Sequence, residues 1–240
     1  MAIGLLTVLT FRWLESPPKD PNDACAIFKE KPSWYTSLGK SEELWGTPKE
    51  VQLAILFQES SFRARIRPPR TKILWVIPWR RPSSAYGYGQ ILDGTWQDYR
   101  RRRGRTRGWP GSWVGPQRSS FHDVADFVGW YTDQIHQTAG IEKNDAAHLY
   151  LAYHEGPGGY SRGSHRKKAW LLAVADQVAQ RAQRYRQQLS HCEDALWWSA
   201  LRHRLAKGAA ALILLALTVL FLRRLFRRRF SSKQRRRRKR

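Results

Sequence analysis

The residue with the clearest chemical potential is Glu59, which stands near the end of an apolar run that begins at Val51. Residues 47–50, Thr-Pro-Lys-Glu, precede this run and predict a helix start, as a capping box with proline at the first helical position. Ile55 and Leu56 lie one turn before Glu59. Because apolar surroundings disfavour a charge, we expect a raised pKa for this carboxyl, as a general acid requires. The alternative is an exposed glutamate near a helix end.

Three short motifs follow one another along the chain: E-S-S-F at residues 59–62, A-x-G-x-x-Q at 85–90 and A-Y-x-x-G-P-G at 152–158. Each motif alone is weak, but their order resembles the lytic transglycosylase domain of the soluble-transglycosylase type, a relative of goose-type lysozymes. The resemblance is clear from about residue 45 to 159 and extends over 25–192 in all. It implies a mainly α, lysozyme-like fold.

The resemblance also implies roles for individual residues. Glu59 matches the single catalytic acid of the family. The expected substrate-binding residues are Ser60, Tyr88, Gln90, Trp96, Tyr153, His154 and Glu155. Protonated Glu59 would donate to the glycosidic oxygen between N-acetylmuramic acid and N-acetylglucosamine, then accept the proton of the muramoyl 6-hydroxyl. The implied partner is the peptidoglycan glycan strand, and the implied product is a 1,6-anhydro sugar.

Departures from the family pattern leave other functions open. His154 and Glu155 stand where the family usually has asparagine and a small residue, and Asp93 stands where proline is common. A hydrolytic muramidase would use Glu155 or Asp93 as its base. A non-catalytic, membrane-anchored glycan-binding protein is a second alternative. A third is a membrane or nucleic-acid tether that acts through the arginine tail at residues 223–240.

Tryptophan is abundant, with 12 residues in the chain. Flat aromatic faces stack on sugar rings, although most such residues serve a core or a membrane interface. Residues 63–83 exceed what the family pattern needs and predict an inserted loop with Trp75 and Trp79. Together with Trp96, these two are the candidates for stacking in a glycan cleft.

The net charge of +24 implies an anionic partner. Residues 223–240 contain twelve Lys and Arg and no acid, which leaves 31 basic and 19 acidic residues elsewhere, or +12. Cell-wall polymer, anionic lipid and nucleic acid all qualify, and the resemblance favours the first, with anionic lipid at the basic tail and nucleic acid as the least favoured. Two cysteines without an H-E-x-x-H motif argue against zinc, and we expect no cofactor.

Residues 208–222 form a charge-free run of fifteen, between Lys207 and Arg223. The run is short, about 22 Å of helix against a hydrocarbon core of roughly 30 Å. With Trp197 and Trp198 upstream as interfacial residues, it nevertheless predicts a transmembrane helix, the alternative being a buried core helix. The tail at 223–240 would then be cytoplasmic and the catalytic domain periplasmic, at a bacterial inner membrane. Residues 1–24 would be an atypical export signal or an N-terminal helix.

The remaining pattern is helical. We expect a helix from the Ser120 start signal to Gly140, a short one capped by Asn144, and a long one over about 168–189 with Trp170 on its apolar stripe. The expected domain covers 25–192, followed by a juxtamembrane segment at 193–207. Cys25 and Cys192 bracket this domain, so a disulfide between them is expected in an oxidising compartment; two unpaired thiols are the alternative.

Overall fold

A computed structural model describes residues 16–70, 72–73, 77–78, 81–106 and 116–237. These residues form a mainly helical fold, as the sequence predicts. The helices are α1 (Ala24–Glu30), α2 (Pro32–Trp45), α3 (Lys49–Ser60), α4 (Asp93–Thr106), α5 (Phe121–Ala139), α6 (Ala146–Glu155), α7 (Pro157–Ser161), a 3-10 helix (Ser164–Lys167) and α8 (Ala169–Arg237). Strands β1 (Lys72–Ile73) and β2 (Ile77–Pro78) pair antiparallel, with Ile73 opposite Ile77. The predictions for Trp75, Trp79 and residues 1–15 lie outside the described residues.

The chain divides into two compact units, one ending at Leu196 and the other beginning at Trp197. The first unit holds every motif found in the sequence. Helix α8 runs through the division, where the sequence predicts a helix ending near residue 189. The domain boundaries predicted from the sequence stay predictions, although the expected end at residue 192 lies close to the division.

Within the part of the chain that the structure describes, no helix is long and apolar enough to cross a membrane. The transmembrane helix predicted at residues 208–222 is therefore not supported.

Helix α5 begins and ends as the sequence predicts. The Ser120 side chain accepts a hydrogen bond from the Asp123 N–H, and Gly140 ends the helix in the left-handed conformation at φ 68°. Helix α6 is capped by Asp145 rather than by the predicted Asn144, since the Asp145 carboxylate accepts from the N–H of His148 at 3.1 Å. The carboxylate of Asp145 therefore supplies the capping oxygen that the sequence assigned to its neighbour.

The predicted capping box before α3 is wrong. Pro48 is the N-cap and makes no side-chain cap bond. The Thr47 hydroxyl is buried and bonds instead to the Thr132 hydroxyl of α5 at 2.7 Å. The Thr47 hydroxyl, which the local sequence pattern assigned to capping α3, therefore makes a tertiary hydrogen bond instead.

Ring contacts of one buried indole set the position of α3 and of the second motif. Trp34 of α2 stacks on Phe121 of α5, with ring centroids 3.8 Å apart. The same indole contacts Phe62, directly after α3, at 5.5 Å and Tyr88 of the second motif at 5.7 Å. Because these rings are almost completely buried, they fix the end of α3 against the turn at residues 85–90.

Helices α2 and α5 approach closely through small residues. The Ser41 hydroxyl donates to the carbonyl of Ala125 at 2.8 Å in a buried contact. A Cβ on Gly129 would overlap the Ser41 hydroxyl oxygen, so only glycine permits this spacing. The two helices therefore pack closely at this point.

The predicted disulfide is confirmed. Cys25 of α1 and Cys192 of α8 are bonded, with their Cα atoms 6.2 Å apart and 167 positions apart in sequence. The bond ties α1 to α8. Beside it, the Ala24 N–H donates to the side-chain amide oxygen of Gln188, and the Cys25 sulfur lies near the Gln188 backbone carbonyl.

Replacing both cysteines, Cys25→Ser with Cys192→Ser, should lower the free energy of unfolding by up to about 5 kcal/mol, since so long a closed loop restricts the unfolded chain. Guanidinium unfolding followed by circular dichroism measures the change. Thiol labelling of the unreduced, denatured wild-type protein is the control. Two free thiols per chain would show that the bond does not form.

Candidate active site

A cleft of about 410 Å³ lies where the end of α3, the turn of the second motif, α5 and the end of α6 meet. Its described lining consists of Glu59, Ser83, Ala85, Gln90, Ile91, Leu92, Thr95, Phe127, Tyr131, Tyr153, His154, Glu155 and Gly156. Five of the predicted site residues, one from each of the first two motifs and three from the last, therefore share one space. All three motifs contribute to the same cleft.

Glu59 lies in the last turn of α3 and is half-buried, with its carboxyl facing the cleft. Desolvation by its surroundings raises the pKa of this carboxyl to about 8, and a hydrogen bond from the Tyr150 hydroxyl opposes part of that rise. The carboxyl is therefore protonated at neutral pH. It can donate a proton to a group bound in the cleft and be regenerated afterwards.

The phenol that bonds to Glu59 belongs to Tyr150, a residue that the sequence analysis missed. Tyr153, which the resemblance places near the acid, donates to the carbonyl of Gly89 at 2.8 Å. Burial, and next the charge of Glu59, raise the pKa of Tyr153 well above its ordinary value, so it stays a neutral donor. Tyr150 lies three positions before Tyr153 on α6, so the two side chains share a face of the helix. This spacing was the sequence signal that could have placed Tyr150 beside the acid.

The turn of the second motif depends on two glycines. Gly87 has φ +81°, and a Cβ there would overlap the carbonyl oxygen of Arg118. A Cβ on Gly89 would lie 2.8 Å from the Tyr153 hydroxyl, which could then no longer approach as closely. Gly89 thus lets the third motif bond to the backbone of the second.

Gln90 lines the cleft but its amide is used by the protein itself. Its Nε2 donates to the carbonyls of Gly87 at 3.0 Å and Ile66 at 3.2 Å. The residue is held at φ 45°, in the left-handed region. Gln90 therefore braces the turn, in addition to facing the space where its predicted sugar contact would form.

Glu155 is the second carboxylate of the cleft, and it is firmly paired. It accepts from Lys168 at 2.7 Å, from the Ser164 hydroxyl and from the His154 ring nitrogen at 3.0 Å. These bonds, Lys168 first and Ser164 next, outweigh desolvation and lower the pKa of Glu155 to about 2. So weak a base is poorly suited to take a proton from water.

Asp93, the other base of the hydrolytic alternative, begins α4 and is absent from the described cleft lining. Its carboxylate pairs with the Arg118 guanidinium at 2.6 Å. Arg118 also donates to the carbonyls of Ile91 and Ser84. Asp93 thus belongs to the outer brace of the second motif.

Three predicted substrate-binding residues are not brought to the cleft. Ser60 is buried, and its hydroxyl donates to a backbone carbonyl of its own helix. Tyr88 is 2 % exposed and packs against Trp34, and Trp96 is buried against Phe127. The sequence predicted that Tyr88 and Trp96 contact sugar, but both rings pack in the hydrophobic core.

Trp170 has the opposite outcome. Its predicted place on the apolar stripe of α8 is wrong, because its side chain is 57 % exposed. The ring of His154, a cleft residue, meets it edge-on with centroids 5.4 Å apart. An exposed indole thus stands beside the cleft. Among the residues that the structure describes, no group of three or more His, Cys, Asp or Glu could hold a metal ion.

Removing the phenol, Tyr150→Phe, should raise the pKa of Glu59 above about 8, because the lost hydrogen bond favours the charged carboxylate. A titration of carboxyl-labelled glutamate by NMR measures the shift. Tyr131→Phe removes another phenol from the same cleft and serves as the control. An unchanged or lower pKa in Tyr150→Phe would contradict the assigned bond.

The arrangement is a desolvated acid in a cleft built from three motifs, and comparison with known proteins identifies its family. The family model described as the transglycosylase SLT domain matches residues 1–192. A comparison with curated proteins finds no match. The match includes all three motifs and covers most of the chain. The chain belongs to the transglycosylase SLT domain family, lytic transglycosylases that act on peptidoglycan.

Proposed function

We propose that this protein cleaves the β-1,4 bond between N-acetylmuramic acid and N-acetylglucosamine and releases a 1,6-anhydromuramoyl product. The observation that carries the proposal is the contrast between two carboxyls of one cleft. Glu59 has a pKa of about 8 and holds its proton, whereas Glu155 has a pKa of about 2 and is bonded to three partners. This contrast fits a reaction in which Glu59 alone donates a proton and later accepts one, while Glu155 takes no part in proton transfer.

The proposed reaction begins with a sugar strand lying across the cleft. Protonated Glu59 donates to the glycosidic oxygen as the bond to C1 breaks and positive charge develops on the muramoyl ring. The Tyr150 hydroxyl stabilises the carboxylate that this leaves, since its hydrogen bond favours the charged form. Glu59 then accepts the proton of the 6-hydroxyl as that oxygen bonds to C1. The acid is regenerated, and no water is consumed.

The hydrolytic alternative needs a base that activates water. Glu155 faces the cleft, but its charge is used by Lys168, Ser164 and His154. Asp93 is used by Arg118. The contacts of both carboxylates therefore favour attack by the substrate's own hydroxyl. A glycan-binding role without catalysis gives no reason for a desolvated acid in the cleft.

We also propose that the first unit works outside the cytoplasm, in the periplasm. Peptidoglycan, the substrate of the family, lies there. The bond between Cys25 and Cys192 supports this location, because disulfides persist in oxidising compartments and are rare in the cytosol.

Mass spectrometry of muropeptides tests the proposed product directly. Purified sacculi digested with the enzyme should yield disaccharide peptides that lack one water relative to those from a hydrolytic muramidase, since the 6-hydroxyl replaces water as the nucleophile. A lysozyme digest of the same sacculi gives the reference mass. Products that carry the additional water and a reducing end would establish hydrolysis.

Glu59→Gln preserves the shape of the side chain but removes the proton that the reaction needs. We expect turnover on sacculi to fall at least about 100-fold, which corresponds to roughly 3 kcal/mol of barrier. Glu155→Gln is the matched control in the same cleft and should keep measurable activity. Retention of more than about a tenth of wild-type turnover by Glu59→Gln would exclude this residue as the acid.

The pH profile provides a separate measurement. Since Glu59 must be protonated to act and has a pKa of about 8, kcat/KM should be maintained at neutral pH and fall as pH rises through about 8. Glu155 is already ionised far below that range, so it contributes no limb near neutrality. A loss of activity centred near pH 4 to 5, as for an ordinary carboxyl, would contradict the raised pKa.

A further inference from the structure

A second pocket, of about 330 Å³, lies between the end of α2 and the helices α4 and α5. Its described lining is Trp45, Tyr99, Arg102, Arg103, Trp130, Asp133, Gln134 and Gln137, none of which lines the cleft of Glu59. The proposed reaction uses no residue of this pocket. We call it the α4–α5 pocket.

The aromatic floor of the α4–α5 pocket is held in place by one buried carboxylate. Asp126 accepts from the Trp45 indole at 3.2 Å, from the Tyr99 hydroxyl at 2.6 Å and from the Arg103 guanidinium at 2.8 Å. Tyr99 also packs against Trp130, with centroids 5.4 Å apart. The indole N–H of Trp45 and the hydroxyl of Tyr99 point to Asp126. Tyr99 and Trp130 are 2 % and 8 % exposed and support the floor from the core, so the partly exposed Trp45 is the ring that can offer a flat face to a ligand.

The rim has a different chemistry. The Arg102 guanidinium donates to the side-chain amide oxygen of Gln134 at 3.0 Å. The side-chain amide nitrogen of Gln134 donates to the amide oxygen of Gln137 at 3.4 Å. Gln137 in turn donates to Asp133 at 2.8 Å, which pairs with Lys143. A guanidinium, two carboxamides and a carboxylate thus stand around the aromatic floor in one bonded row. Such planar polar groups can exchange hydrogen bonds with hydroxyl and acetamido groups.

The two sites are related by helical periodicity. Thr95 and Phe127 line the cleft, and Arg102 and Gln134 line the α4–α5 pocket. Each pair of positions differs by seven residues, or about 10 Å along its helix. On α5, Tyr131 lines the cleft and its neighbour Trp130 lines the α4–α5 pocket, so the two sites border each other on different faces of that helix.

From this combination we propose that the α4–α5 pocket is a second saccharide site, which takes an N-acetyl amino sugar of a glycan strand. One face of the sugar ring stacks on Trp45, and its hydroxyl and acetamido groups bond to Gln134 and Gln137. Naming peptidoglycan as the source of that sugar rests on the proposed function. Holding the strand at two sites raises the affinity for polymer without changing the chemistry at Glu59.

Binding to polymer tests the site without catalysis. In the full chain carrying Glu59→Gln, the added pair Gln134→Ala and Gln137→Ala should weaken co-sedimentation with purified sacculi about tenfold, as expected for two lost hydrogen bonds. The matched control is Gln177→Ala with Gln180→Ala, two exposed glutamines at the same spacing on α8. A change below about twofold, or an equal change in the control, would overturn the proposal.

Direct contact is tested with a soluble probe. In the same Glu59→Gln chain, tetra-N-acetylchitotetraose should shift the indole N–H resonance of Trp45 in a heteronuclear NMR spectrum, and the two glutamine substitutions should abolish that shift. An unmoved Trp45 resonance at saturating probe contradicts the site.

Turnover separates this proposal from the function proposed above. With Glu59 intact, the variant Gln134→Ala, Gln137→Ala should cleave a short soluble glycan at the wild-type rate while its KM for sacculi rises. A lower rate on the short substrate would assign the two glutamines to the cleft and overturn the second site. If the wild-type protein cleaves neither substrate, the proposed reaction fails, and the binding measurements still decide the α4–α5 pocket.

Discussion

The cost of placing a carboxyl in poorly solvated surroundings is the constraint on which the site depends. Charge on Glu59 is disfavoured there, so the proton stays bound up to a pKa of about 8. Tyr150 limits this penalty with one hydrogen bond and keeps the carboxylate attainable. With more solvation the group would be an ordinary carboxylate, and without the phenol it would release its proton less readily. The geometry of the surrounding helices matters because it sets this balance.

That geometry is maintained by buried contacts with no chemical role of their own. Trp34 contacts both Phe62 and Tyr88, so one indole joins the chain after the acid to the second motif. The Tyr153 hydroxyl then bonds to the Gly89 carbonyl and joins the second motif to the third. Each motif is therefore attached to the next by a specific contact. The cleft is defined by this series of contacts between motifs that lie far apart in sequence.

The sequence predicted features that follow from local pattern. The helical class, both ends of α5 and the apolar setting of Glu59 come from spacing and termini. The sequence could not assign aromatic residues, because a ring that stacks on sugar and a ring that fills a core share the same composition. Trp96 was thus placed in the cleft and is buried, whereas Trp170 was placed in the core and is exposed. Tyr150 was missed because periodicity gives the face of a helix but not the neighbour that the face meets. The predicted membrane span relied on flanking residues to compensate for a short apolar run, and the structure does not support it.

The bond between Cys25 and Cys192 turns the catalytic unit into a closed covalent ring. A linear chain cut once falls into two molecules, whereas a ring cut once remains a single molecule. The segment between the first and second motifs, which joins α3 to the turn at residues 85–90, lies inside this ring. Peptide-bond cleavage there would leave Glu59 and Tyr150 connected through the disulfide, on pieces that need reductant as well as unfolding to separate. Where proteases are present, a single cut in this segment would therefore not separate Glu59 from Tyr150. It would only open the chain locally.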